Sequence, residues 1–139
     1  MLTVDLKSRE LLIGPNCHII FENDEGKDLV PSGDELIITL TMNYDDEEIK
    51  KIKFDQLEGI ESTVYILVFG YERVYGQSVS VHQSSTSFSF VIKFKLKQGQ
   101  VVDFKDLKDT VKLGIAHDFY PYEIILSNEL RQELGKDFA

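Results

Sequence analysis

The sequence predicts an all-β fold: a two-sheet β-sandwich with a short C-terminal helix, filling residues 1–139 as a single domain. Three observations predict it. Residues 86–96 alternate strictly, with Phe88, Phe90, Ile92, Phe94 and Leu96 on one face and Ser87, Ser89, Val91, Lys93 and Lys95 on the other. Such a period of two belongs to a strand with one buried face. Residues 35–42 repeat the pattern, and six shorter apolar or alternating segments follow the same rule. Turn chemistry separates them closely enough to favour packed sheets over βαβ units.

The shorter strand candidates are 17–21, 63–69, 78–82, 101–104, 111–116 and 122–126. Residues 63–69 are almost all apolar, β-branched or aromatic, which places them inside a sheet. Residues 49–54 alternate imperfectly and are read as a strand too, although Ile49, Ile52 and Ile60 also fit part of a helical stripe. Gly14-Pro15, Asn23-Asp24-Glu25-Gly26, Pro31-Ser32-Gly33, Gln98-Gly99 and Tyr120-Pro121 read as turns, with Gln98-Gly99 closing a hairpin. Residues 103–109 have room for a helical turn. Ser127-Asn128 caps a helix over 129–135 whose Leu130 and Leu134 dock its single apolar face.

Composition narrows the function classes. The 139-residue chain carries a net charge of −9. The whole excess lies in residues 1–48, which hold twelve acids against three bases. A nucleic-acid backbone is repelled by such a surface, so direct nucleic-acid binding is not expected. Cationic partners are favoured. The single cysteine, Cys17, forms no internal disulfide and reads as a buried thiol. Neither a signal peptide nor a transmembrane segment is seen, and a cytoplasmic location is expected.

Few residues offer chemistry by type and spacing. Asp45-Asp46-Glu47-Glu48 stands between two predicted strands, and Asn23, Asp24, Glu25 and Asp28 form a second acidic loop. Converging carboxylates suit a hard cation such as calcium, but the spacing matches no EF-hand. Solvation of a hairpin tip is the plainer reading. Cys17 and His18 are strand neighbours that point to opposite faces. His117-Asp118 beside Tyr120 and Tyr122 is the one loop gathering imidazole, carboxylate and phenol. The histidines lack zinc spacing, and no glycine-rich phosphate loop occurs. No catalytic residue is therefore assigned. Lys93, Lys95 and Lys97 share a face and, with Lys50, Lys51 and Lys53, offer a basic strip through which copies of the chain would associate; lysines guarding an exposed sheet face are the simpler reading.

The order of motifs resembles the TerD family of tellurium-resistance and stress proteins. Asp45-Asp46-Glu47-Glu48-Ile49, then Ile52, Leu57 and residues 64–69, is followed by Gly76-Gln77, the aromatic strand from Phe88 to Phe94, Gly99 with Asp106-Leu107, and Tyr122-Glu123-Ile124. The resemblance covers residues 45–126, with an echo at 17–26. It implies a β-sandwich, a stress or metal-response role, assembly with other proteins, and calcium sites. By that resemblance Asn16 stands where the second aspartate of the family's Asp-Leu-Asp-Ala-Ser motif would be, and the first aspartate is missing. The implied metal set is Asn16, Asp24, Asp45, Asp46 and Glu47, with calcium as the only cofactor.

The expected function is thus a non-enzymatic stress-response or interaction module, with a protein partner or self-association. Two alternatives stay open: an acidic inhibitor or nucleic-acid mimic that occupies a basic partner surface, and a small enzyme using His117 and Asp118.

Overall fold

Alternating residues become a ladder wherever the sequence is two-periodic. The computed structural model describes residues 4–5, 9–22, 33–136 and 138. The first sheet contains β1 (Val4–Asp5), β2 (Glu10–Leu12), β3 (Cys17–Phe21), β4 (Glu35–Asn43), β7 (Gln77–Gln83) and β8 (Ser87–Lys95). The second contains β5 (Val64–Val68), β6 (Val74–Tyr75), β9 (Val111–His117) and β10 (Tyr120–Ile125). Their orders are β1-β2-β3-β4-β8-β7 and β10-β9-β5-β6, every pairing antiparallel. β5 lies between β9 and β6, inside its sheet as its composition requires.

The longest ladder joins β4 to β8 from Glu35 opposite Lys95 to Asn43 opposite Ser87. Leu36, Ile38, Leu40 and Met42 thereby share an inward face with Phe94, Ile92, Phe90 and Phe88. Val64, Ile66 and Val68 of β5 and Val111, Leu113 and Ile115 of β9 complete the core from the second sheet. Each such side chain contributes about 1.5–3 kcal/mol when withdrawn from water. The chain crosses between sheets at Gly76, where a Cβ would fall 2.3 Å from Ile92 Cγ2, so no side chain fits the crossing.

The helical content corrects the sequence reading. Among the described residues three α-helices and a 3-10 turn are present, where one short C-terminal helix was expected. Residues 49–54 are not a strand but the body of α1 (Glu47–Gln56). Asp46 caps it, Glu47 and Glu48 occupy its first turn, and Lys53 lies in its last, all favourable to the helix dipole. Its isoleucines did not mark the buried face: Ile49 and Ile52 are exposed, while Phe54 packs edge-on against Phe88 with ring centroids 5.0 Å apart. The Lys50 stem is buried and its ammonium reaches Gln83 Oε1 at 2.7 Å. A 3-10 turn over Ile60–Ser62 follows.

Gln98-Gly99 closes no hairpin, and 101–104 is no strand; both belong to α2 (Gln98–Lys105). The Gln100 side chain accepts the Lys97 N–H at 2.7 Å, holding the first turn. Tyr120-Pro121 is likewise no turn. It begins β10, an edge strand, where proline's missing donor is tolerated. The expected C-terminal helix is present as α3 (Asn128–Gly135), capped by Ser127 and docked through Leu130 and Leu134.

Arg131 of α3 is 1% exposed and fastens the connection from α2 to β9. Its guanidinium donates to the carbonyls of Asp109 (2.8 Å), Asp103 (2.9 Å) and Lys108 (3.1 Å). The predicted turn at 23–26 and most of that at 31–33 lie outside the described residues. No helix among the described residues is long and apolar enough to cross a membrane.

Candidate functional site

The acidic run is largely committed to local structure. Asp46 Oδ1 accepts the Ile49 N–H at 2.8 Å as the α1 cap, and Glu47 pairs with Lys51 at 3.8 Å across one turn. Asn16 sits at positive φ in the β2–β3 turn, and its side-chain amide donates to Asn43 O at 2.8 Å. The fold thus brings Asn16 to the end of β4, from which the exposed Asp45 and the cap Asp46 follow directly. Asp24 lies outside the described residues. Among the described residues no group of three or more His, Cys, Asp or Glu converges as a metal site.

The loop with His117 is built for position. His117 Nδ1 accepts the Phe119 N–H at 3.1 Å, so Nε2 carries the proton it donates to Glu58 O at 2.9 Å. Both ring nitrogens are engaged in tying the β9–β10 turn to the end of α1. Cys17 and His18 diverge as their spacing requires. Burial pushes the Cys17 thiol up to about 12 against a lowering contact from Tyr120, while His18 Nδ1 lies 3.3 Å from Glu10 Oε2 on the other face. The Tyr120 hydroxyl stands between Ile13 O (2.9 Å) and Pro15 O (2.5 Å), joining the β9–β10 hairpin to the β2–β3 turn.

The two sets of lysines do not form one strip. Lys93 and Lys95 alternate with the buried Phe94 and so project from the outer face of the first sheet, where Lys93 meets Glu35 at 3.5 Å. Lys50, Lys51 and Lys53 belong to α1, which packs through Phe54 on the opposite, inner side.

Two hollows stand out. One, of about 460 Å³, lies on the outer face of the second sheet around Tyr65, Arg73, His117, Asp118 and Glu123. Tyr65 is only 3% exposed, though it faces away from the core. Gly114 opposite it leaves room for the ring, and the Arg73 guanidinium covers the ring 4.1 Å from its centroid. Its hydroxyl donates to Glu123, whose carboxylate also lies 3.5 Å from Lys112. Burial and then the Glu123 contact push Tyr65 up to about 12, while the Tyr65 hydrogen bond holds Glu123 below its ordinary value. No spacing rule in the sequence identifies this cluster, because its members come from three strands and a loop.

The other hollow is a groove of about 450 Å³ at the open margin of the two sheets. Phe88 and Phe90 of β8, Val81 of β7, and Phe54 and Leu57 from α1 and its end form its apolar lining. Asp55, Glu58 and Glu61 stand among the same lining residues, with no Lys or Arg. Val81 is opposite Phe90 in the ladder and shares its inward face, yet it is half exposed because the narrower second sheet does not reach it. The alternation of β8 was legible in sequence. That Val81, across the ladder from the buried Phe90, would stay exposed was not.

Comparison with curated proteins finds no match. A crystal structure of a novel protein of unknown function from Burkholderia pseudomallei K96243 shares the fold, with a TM-score of 0.81 and 21% sequence identity over 96% of this chain and 85% of that one. The family model described as "Protein of unknown function (DUF3501)" matches residues 27–138, and the chain belongs to that family.

Proposed function

We propose that the chain is a non-enzymatic interaction module whose groove receives a partner segment presenting an apolar side chain flanked by basic ones. The carrying observation is the groove itself: an apolar lining of Phe54, Leu57, Val81, Phe88 and Phe90 combined with Asp55, Glu58 and Glu61 and no basic residue. Burial of one large apolar side chain supplies affinity. The carboxylates select and steer a cationic flank. The interaction role implied by the TerD resemblance agrees with this reading, and the engagement of both His117 nitrogens in fold contacts favours it over general-base chemistry.

Fluorescence anisotropy with a labelled peptide of alternating Lys and Phe tests the proposal. Binding is expected to weaken with salt and to fall about tenfold in the Glu58→Lys, Glu61→Lys double variant. A Lys/Ser peptide is expected to bind far less tightly. Equal binding of the two peptides, or indifference to the charge reversals, would sink the groove as the site.

A further inference from the structure

We propose that His117 is a proton-operated latch on the groove: neutral, it holds the groove's acidic wall, and protonated, it releases that wall and competes for its carboxylates. The proposal rests on the groove reading, whose regulation it names. His117 ends β9 opposite Tyr120, beside the Asp118-Phe119 turn. Its Nδ1 accepts the Phe119 N–H at 3.1 Å, and its Nε2 donates to Glu58 O at 2.9 Å. Glu58 belongs to the short connection between α1 and the 3-10 turn, which leaves through Gly59 at φ +82°. Leu57, Glu58 and Gly59 all line the groove. One imidazole therefore ties the β9–β10 hairpin to the groove wall.

A neutral imidazole has one donor and one acceptor, and both are used here. Imidazole is also the side chain whose charge ordinarily changes between about pH 5 and 8. A proton on Nδ1 makes it a second donor, facing the Phe119 N–H. Two donors cannot share that position, so the ring turns and gives up Glu58 O as well. The surroundings supply it with counter-ions. A hollow of about 500 Å³ at this place is lined by Asp55 and Glu58, from α1 and its end, and by Asp118 beside the ring. Across the ring, the second-sheet hollow presents Tyr65, Arg73, Tyr122 and Glu123. There Arg73 covers Tyr65, and Glu123 is taken by Tyr65 and Lys112. Asp55 and Glu58 line the groove too, joined there by Glu61 of the 3-10 turn. A proton on His117 and a cationic partner thus call on the same two acids. Each opposes the other, and the coupling is reciprocal.

Peptide anisotropy read across the imidazole range tests the latch. The alternating Lys and Phe peptide is expected to bind wild type about tenfold more weakly at about pH 5.5 than at about pH 7.5. His117→Gln keeps a donor and an acceptor but takes no proton. Its affinity is expected to be equal at both pH values, although His18 and His82 remain. Wild-type binding that ignores pH overturns the proposal, and so does the same pH dependence in His117→Gln. Should that variant fail to fold, NMR of the wild type decides. The Phe119 amide is expected to lose protection, corrected for intrinsic exchange, as the His117 ring takes its proton. The peptide is expected to move that titration to lower pH. An amide that stays protected, or a titration that the peptide leaves in place, overturns the latch. Loss of peptide binding at every pH would remove the groove reading beneath it, whereas intact binding without pH dependence removes the latch alone.

Discussion

Gly114 lies directly opposite Tyr65 in the β5–β9 ladder, and a Cβ placed on it would fall 2.2 Å from Tyr65 Cζ. The ring therefore lies over bare backbone, held down by Arg73. Gly114→Ala is expected to displace the ring and cost about 1–3 kcal/mol, the usual range for overpacking. Urea unfolding should show a lower midpoint with an unchanged slope.

The Tyr65 hydroxyl also sets an acid-side dependence. Its hydrogen bond, helped by Lys112 and Arg73 and opposed by burial, depresses the folded pKa of Glu123. A depressed carboxylate contributes stability above its unfolded pKa and loses it as pH falls through the folded one. Tyr65→Phe should therefore flatten the acid limb of stability against pH and lower neutral stability by about 1 kcal/mol. Denaturant midpoints measured from neutrality downward, for both proteins, check the difference in slope.

On the alkaline side the sign reverses. Burial raises Cys17 from 9.0 to about 12, and Tyr44 and Tyr65 from 10.0 to about 12. Raised groups hold their protons in the folded chain, so their contribution is complete below the unfolded pKa and is lost as pH rises toward the folded one. Stability is expected to decline from pH 9 toward 12, with Cys17 beginning the fall. Cys17→Ala should delay its onset, whatever the variant's stability at neutral pH. Equilibrium unfolding across that window provides the comparison.

Arg131 serves three carbonyls that have no substitute donor of its shape. Arg131→Met is expected to cost about 3 kcal/mol by leaving buried acceptors unsatisfied. Arg131→Lys should recover little, because one ammonium does not reproduce the planar fork. Amide exchange should accelerate first in residues 107–110, the loop its guanidinium fastens.

The strands were legible because their side chains alternate within each segment, and β3, β4, β8 and β9 stand close to where their residues place them. The helices were harder. In α1 the isoleucines face solvent while a lysine stem and Phe54 meet the sheet, so its apolar stripe is misleading; the usable signal was the cap, Asp46 followed by Glu47 and Glu48. In α2 a glycine at the second position imitated a turn, and the Gln100 side chain that closes the first turn was the contrary sign. The groove was illegible for another reason. Its opening depends on the second sheet being narrower than the first, a property of pairing order and not of any local segment.

The Tyr120 hydroxyl bridging Ile13 and Pro15 has a consequence for how the chain is made. Synthesis proceeds from the N-terminus, so the carbonyls of the β2–β3 turn wait for a donor that emerges more than a hundred residues later. Until then this link between the sheets is unmade, and contacts of such long range slow folding. A nascent chain halted before β10 would keep an unsealed margin at the ribosome, open to a chaperone until the last hairpin arrives.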